Sequence, residues 1–143
     1  VFEPQLLIGL ASPIQKSKIE NRKSKMTPEP TMEESLFTRI IKREIPARVA
    51  YEDDRYIVIH DINPQAPVHL LIITKRPIAT LNDLQPADAE LIGGMFVLAS
   101  KLMREMGHSD YRTVFNCGRG AGQTVFHLHL HVLAGRPFTW PPG

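Results

Sequence analysis

The sequence predicts an α+β domain built on a mainly antiparallel, five-stranded sheet with one long and one short helix. Three observations carry this. Five short segments are rich in β-branched and apolar residues and are bounded by turn chemistry. One long stretch repeats apolar side chains at helical spacing. The strand-like segments do not alternate with helices, as a parallel sheet would require.

The elements follow in order. "EESLFTRIIKREIP" sets apolar residues at 36, 37, 40 and 41 on one face of a short helix that Pro46 stops. "RVAYED" and "RYIVIHDI" flank Asp53 and Asp54 and read as a hairpin. After the turn "INPQAP", the segment "VHLLIITK" has the composition of a strand covered on both faces. Residues 86–106 form the long helix, with Pro86 in its first turn, Asp88 and Glu90 near its start and Gly107 at its end. Leu91, Ile92, Met95, Phe96, Leu98, Ala99, Leu102, Met103 and Met106 make its apolar stripe, and its methionines are core filler. "YRTVFN" is a strand, "CGRGAGQT" a glycine-rich loop and "VFHLHLHVL" the last strand, before the irregular tail "GRPFTWPPG".

With 143 residues, 43% of them hydrophobic and 22% charged, the chain has ordinary globular composition and one domain's length. Residues 1–31 are expected to be a disordered extension, because "QKSKIENRKSKMTPEPT" is polar, charged and proline-closed. The domain is placed at 32–143. The formal net charge of +2 resides in that extension, so the domain itself is neutral and offers no broad footprint for nucleic acid. A single cysteine, Cys117, excludes an internal disulfide and a thiolate zinc cage. No apolar run spans a bilayer, and the proline-broken opening is a poor signal peptide, so cytoplasm is the expected address and no membrane partner is expected.

The chemistry concentrates in "TVFHLHLHVLAG", where His127, His129 and His131 fall at every other position. On a strand such residues share one face, while Leu128, Leu130 and Val132 form the opposite, buried face. Three collinear imidazoles, the outer two about 13 Å apart at roughly 3.3 Å per residue, do not converge on one tetrahedral ion, so no metal is expected. Three core histidines would cost much polar satisfaction. An imidazole nucleophile with acid–base neighbours remains. The adjoining Gly118, Gly120 and Gly122 suggest a nest of backbone amides for a phosphoryl group.

"HLHLHVL" is similar to the His-φ-His-φ-His-φ-φ signature of the histidine triad family, where φ is apolar. "LFTRIIKREIPARVAYEDDRYIVIHDINPQAPVHLLIITK", "NCGRGAGQTVFHLHLHVLAG" and "WPPG" extend the likeness over residues 35–143, and resemble the branch that acts on purine nucleoside phosphoramidates. The resemblance implies that His129 attacks the α-phosphorus and forms a nucleotidyl-histidine, which water then hydrolyses. It implies that His131 contacts the phosphate and that His127 and His69 orient or relay protons. Asn116, Gly122, Gln123 and Thr124 match the phosphate loop, and Asp61 matches the ribose-binding residue. Phe37, Ile40, Ile45, His60, Ile62 and Leu71 match an apolar purine slot. Thr124 stands where serine is common, which bears on leaving-group preference. The family also implies no cofactor, a two-fold homodimer through the long helix and a sheet edge, and a tail that brings Trp140 toward the neighbour's site. The alternatives are a dinucleoside polyphosphate hydrolase, or a nucleotide sensor or scaffold with incidental catalysis. Sugar-phosphate nucleotidyl transfer and DNA deadenylation fit less well, since the first alters the triad and the second brings zinc-finger cysteines.

Overall fold

The computed structural model describes residues 34–143. The expected extension over residues 1–31 lies outside the described residues. A short helix α1 (Leu36–Ile41) leads to strands β1 (Val49–Glu52), β2 (Tyr56–His60) and β3 (Val68–Thr74). A long helix α2 (Ala89–Glu105) is followed by β4 (Tyr111–Val114) and β5 (His129–Ala134). The strands form one antiparallel sheet in the order β1-β2-β3-β5-β4, as the α+β reading expects.

Local chemistry explains the element ends. Ser35 caps α1, its hydroxyl accepting from the Thr38 N–H at 3.0 Å. The helix ends at Ile41, ahead of Pro46, because Arg43 turns the chain at a φ of 64°. In the β1–β2 hairpin, Asp53 Oδ1 accepts from the N–H groups of Arg55 and Tyr56, each at 2.8 Å, an Asx-type closure. Residues 86–88 form a 3₁₀ turn rather than the first turn of the α-helix. Past the other end of α2, Gly107 has a φ of 83° while His108 N–H reaches back to Met103 O at 2.8 Å.

The sheet separates two apolar layers. One face carries Val58, Leu70, Ile72, Leu130 and Val132, which pack with Met95, Leu98, Ala99, Leu102 and Met103 of α2. The other carries Ile57, Ile59, Leu71 and Ile73, which pack with Phe37 and Ile40 of α1. Met106, expected as core filler, stands just past the end of α2 and is 43% exposed, and Phe96 of the apolar stripe is 44% exposed. No helix among the described residues is long and apolar enough to cross a membrane.

The last strand begins later than the sequence pattern suggests. The β3–β5 register ends at Ile73 opposite His129, because β3 stops at Thr74 before Arg76 and Pro77. Leu128 N–H bonds instead to Ile78 O at 2.6 Å. His129 and His131 therefore sit on the strand, and His127 sits on the bend that enters it.

Candidate active site

Cross-strand pairing places the histidines. Ile73 lies opposite His129 and Leu71 opposite His131, so both imidazoles join the α1 side of the sheet. Phe37 of α1 meets the His129 ring edge-on, with centroids 4.9 Å apart at 78°. The His129 and His131 rings lie 5.1 Å apart. On the far face Leu128, Leu130 and Val132 are buried against α2, as the alternation predicts.

A carbonyl oxygen only accepts hydrogen bonds, and this fixes the ring protons. His129 Nδ1 lies 2.7 Å from the His127 carbonyl, so it carries the proton and donates. Burial lowers the pKa of His129 and keeps the ring neutral, against the raising effects of that carbonyl and of Asp61. A neutral ring protonated at Nδ1 bears its lone pair on Nε2, the nucleophilic form. His127 has the opposite tautomer: Nε2 donates to Thr74 O at 2.6 Å, which leaves Nδ1 to accept. Burial again lowers its pKa.

His69 and His131 are fixed in the same way. Gln65 N–H donates to His69 Nδ1 at 3.0 Å, so the His69 proton is on Nε2. That N–H faces His131 Nδ1 at 2.9 Å and Asp61 Oδ2 at 3.4 Å. His131 thus accepts at Nδ1 and carries its own proton on Nε2, on a ring that lines the cavity. Burial, then the neighbouring His129 and His69, push its pKa down to about 4. Burial lowers the pKa of His69 too, opposed by the Asp61 carboxylate.

Asp61, His69 and His131 bring three potential ligand atoms within 4.8 Å of one another, a grouping that the spacing in sequence does not reveal. By distance alone they could ligate one cation. The tautomers oppose it: the Gln65 N–H occupies His69 Nδ1 and forces the proton onto the nitrogen that a metal would need.

A cavity of ≈ 350 Å³ opens beside these rings. Of the residues expected around a nucleotide, Phe37, Ile40, Ile45, His60, Asp61, Ile62, Leu71, Asn116, Gly122 and Thr124 line it, together with His129 and His131. Leu36, Pro46, Ala47, Ile59 and Val125 line it as well and were not anticipated, although their apolar character suits the same wall. One expected residue stands elsewhere. Gln123 is buried beneath the loop, donating to Ala79 O at 2.8 Å and to Val125 O at 3.1 Å. Trp140, expected at the neighbour's site, is 83% exposed on its own chain.

The glycine loop spends two of the three glycine amides expected in the nest on its own turns. Gly118 N–H donates to Gln123 Oε1 at 2.9 Å, Gly122 N–H to Arg119 O at 3.0 Å, and Ala121 and Gln123 N–H to Gly118 O. These donors are consumed in folding the loop. Gly118 and Gly122 serve through positive φ values of 86° and 95°, which set Asn116 and Thr124 at the cavity. Ser35 and Thr38 were missed altogether: their hydroxyls reach His127 Nδ1 at 2.7 and 3.3 Å across some ninety residues of sequence. A helix-cap pattern is legible in sequence at Ser35, but its distant partner is not.

A family model described as scavenger mRNA decapping enzyme C-term binding matches residues 34–137. An uncharacterized HIT-like protein of Synechocystis sp. is 50% identical over 112 residues, covering 78% of this chain and 98% of the relative. The structure is similar to that of a HIT family hydrolase from Legionella pneumophila Philadelphia 1, with a TM-score of 0.75 and 50% identity over 77% of this chain and 100% of that one. It is also similar to a histidine triad nucleotide-binding protein from Candida albicans, with a TM-score of 0.63 and 30% identity over 76% of this chain and 83% of that one. At half-identity across nearly the whole of a relative, fold and lineage are shared, and the chain belongs to the histidine triad (HIT) family.

Proposed function

We propose that the protein hydrolyses the P–N bond of purine nucleoside 5′-phosphoramidates through a nucleotidyl-histidine. One observation carries this reading: the His127 carbonyl accepts a hydrogen bond from Nδ1–H of His129, which leaves an Nε2 lone pair on a buried, neutral ring beside a cavity. Nε2 attacks the α-phosphorus, and the P–N bond breaks. The amine leaves with the bonding pair and takes a proton from solvent. Positive charge that develops on the phosphorylated imidazole is stabilised by the carbonyl at Nδ1. Water then attacks phosphorus and releases a proton to solvent, the P–Nε2 pair returns to His129, and the nucleoside monophosphate departs.

The other groups have roles that suit their protons. His131 donates from Nε2 to a phosphate oxygen, and His69 holds it in that tautomer. His127 orients the nucleophile through its carbonyl. Asn116 and Thr124 supply polar side chains to the phosphate, and Asp61 accepts from ribose hydroxyls. The wall from Phe37 to Leu71 is apolar and fits a flat base. The names of the hydrolase and nucleotide-binding relatives support the same class of chemistry.

Turnover of an adenosine phosphoramidate in the presence of EDTA tests the reading. Full activity is expected, with kcat falling by roughly 10³-fold or more in His129→Ala. Turnover that EDTA abolishes would replace the imidazole mechanism by a metal-dependent one.

We also propose a homodimer. Val97 is 72% exposed on α2 beside Phe96, and the edge strand β4 begins at the exposed Tyr111. Ser100 and Arg104 join these two patches along the helix into one surface with an apolar component.

A further inference from the structure

Ser35 precedes the short helix and lies far from the histidines in sequence, yet its hydroxyl touches the triad. The oxygen accepts from Thr38 N–H at 3.0 Å, as a helix cap does. Its single proton is then free for His127 Nδ1, 2.7 Å away. That nitrogen must accept, because Nε2 of the same ring donates to Thr74 O. Thr38 Oγ1 stands 3.0 Å from the Ser35 oxygen and 3.3 Å from Nδ1, a weaker second donor.

The consequence lies one bond further on. The His127 ring is gripped at both nitrogens, and the carbonyl of that same residue holds Nδ1–H of His129. Residue 127 precedes the sheet ladder, so no strand pairing fixes it. The helix that carries Ser35 also carries Phe37, whose ring packs edge-on against His129. One hydroxyl thus joins the pocket wall to the support of the nucleophile.

We propose that Ser35 is a positioning residue for His129: its hydroxyl locks the His127 ring and thereby the carbonyl that aims the nucleophilic nitrogen. The inference rests on His129 being the nucleophile. Ser35 does not touch the reacting atoms. Its loss lowers kcat more than it raises KM, since the lining of the cavity is unchanged while the attacking nitrogen is less well held.

The test uses the full chain and three proteins: wild type, Ser35→Thr, and Ser35→Gly/Thr38→Val. Glycine remains an acceptable helix cap, so the double variant removes both hydroxyl donors while keeping the helix start. Two quantities are measured, turnover of an adenosine phosphoramidate and the ¹⁵N resonances of the histidine rings. In the double variant, kcat is expected to fall roughly tenfold, KM to change less than about threefold, and thermal stability to hold. The His127 Nδ1 resonance is expected to move to that of an unbonded pyridine-type nitrogen. Ser35→Thr keeps both at their wild-type values.

Wild-type kcat in the double variant would overturn the proposal. So would a fall in kcat with the Nδ1 resonance unmoved, which would make the loss merely structural. If wild-type protein turns nothing over, the phosphoramidate reading fails by itself. The resonances then decide the lock alone: a shift at His127 Nδ1 together with a changed His129 environment supports it, and unchanged rings overturn it.

Discussion

Neutral imidazole has one N–H and one lone pair, and the site assigns them differently at each ring. His129 donates its proton to a backbone carbonyl and leaves the Nε2 lone pair open, while His131 keeps a proton on Nε2; in the proposed mechanism the first attacks and the second binds a phosphate oxygen. Two chemically identical side chains thus take opposite parts, because one meets a carbonyl and the other meets His69. Burial keeps them neutral. For a base, a lowered pKa means that protonation, and with it loss of the nucleophile, comes only at more acid pH. The acid limb of kcat/KM is therefore expected below 6.5, the ordinary imidazole value, in a pH–rate profile of the free enzyme. A limb above that value would mean that a carboxylate, not burial, governs His129. The alternation of "HLHLHVL" made the two faces legible in sequence, but not the tautomers. Those depend on Gln65 N–H, the Thr74 carbonyl and Ser35, which meet the rings only after folding.

At the scale of elements, the strands read well where a partner strand continues and poorly where it stops. The β2 and β3 segments declared themselves by composition, and both are buried. The start of β5 did not, since the apolar alternation runs on through Val125 while its partner β3 turns away after Thr74. The glycine loop shows a related effect: glycines permit an amide nest, but Gln123 folds beneath the loop and takes the Gly118 N–H for itself. The α2–sheet contact shows how tightly one element constrains another. A side chain at Gly94 would collide with the hydroxyl of Tyr56, which donates to Leu91 O at 2.7 Å and is only 2% exposed. Gly94→Ala is expected to destabilise the fold by about 1–3 kcal/mol, read by chemical denaturation, although alanine favours helix more than glycine does. A stabilised variant would show that Tyr56 yields freely.

At the scale of the whole molecule, the sheet divides labour. One face meets α2 in an unbroken apolar layer and contributes stability, while the other meets the short α1 and leaves room for a cavity. The outer side of α2 remains exposed at Val97, outside the apolar stripe, and at Phe96, which helical spacing alone could not distinguish from core. Val97→Glu is expected to shift the sedimenting species from dimer toward monomer, since a carboxylate would have to be desolvated at the contact. A monomeric wild type would remove the dimer from the account. The tail is held by Arg112 and Arg136, both stacked on Phe138, and this arrangement leaves Trp140 facing outward.

The proposed chemistry depends on covalent attack by His129. The most direct measurement is intact mass spectrometry of protein quenched during turnover of an adenosine phosphoramidate, followed by mapping of the modified peptide. Covalent attack leaves an added nucleotidyl group on His129 that is absent in His129→Ala. Turnover without any adduct under conditions that trap phosphohistidine, or an adduct on another residue, would contradict it.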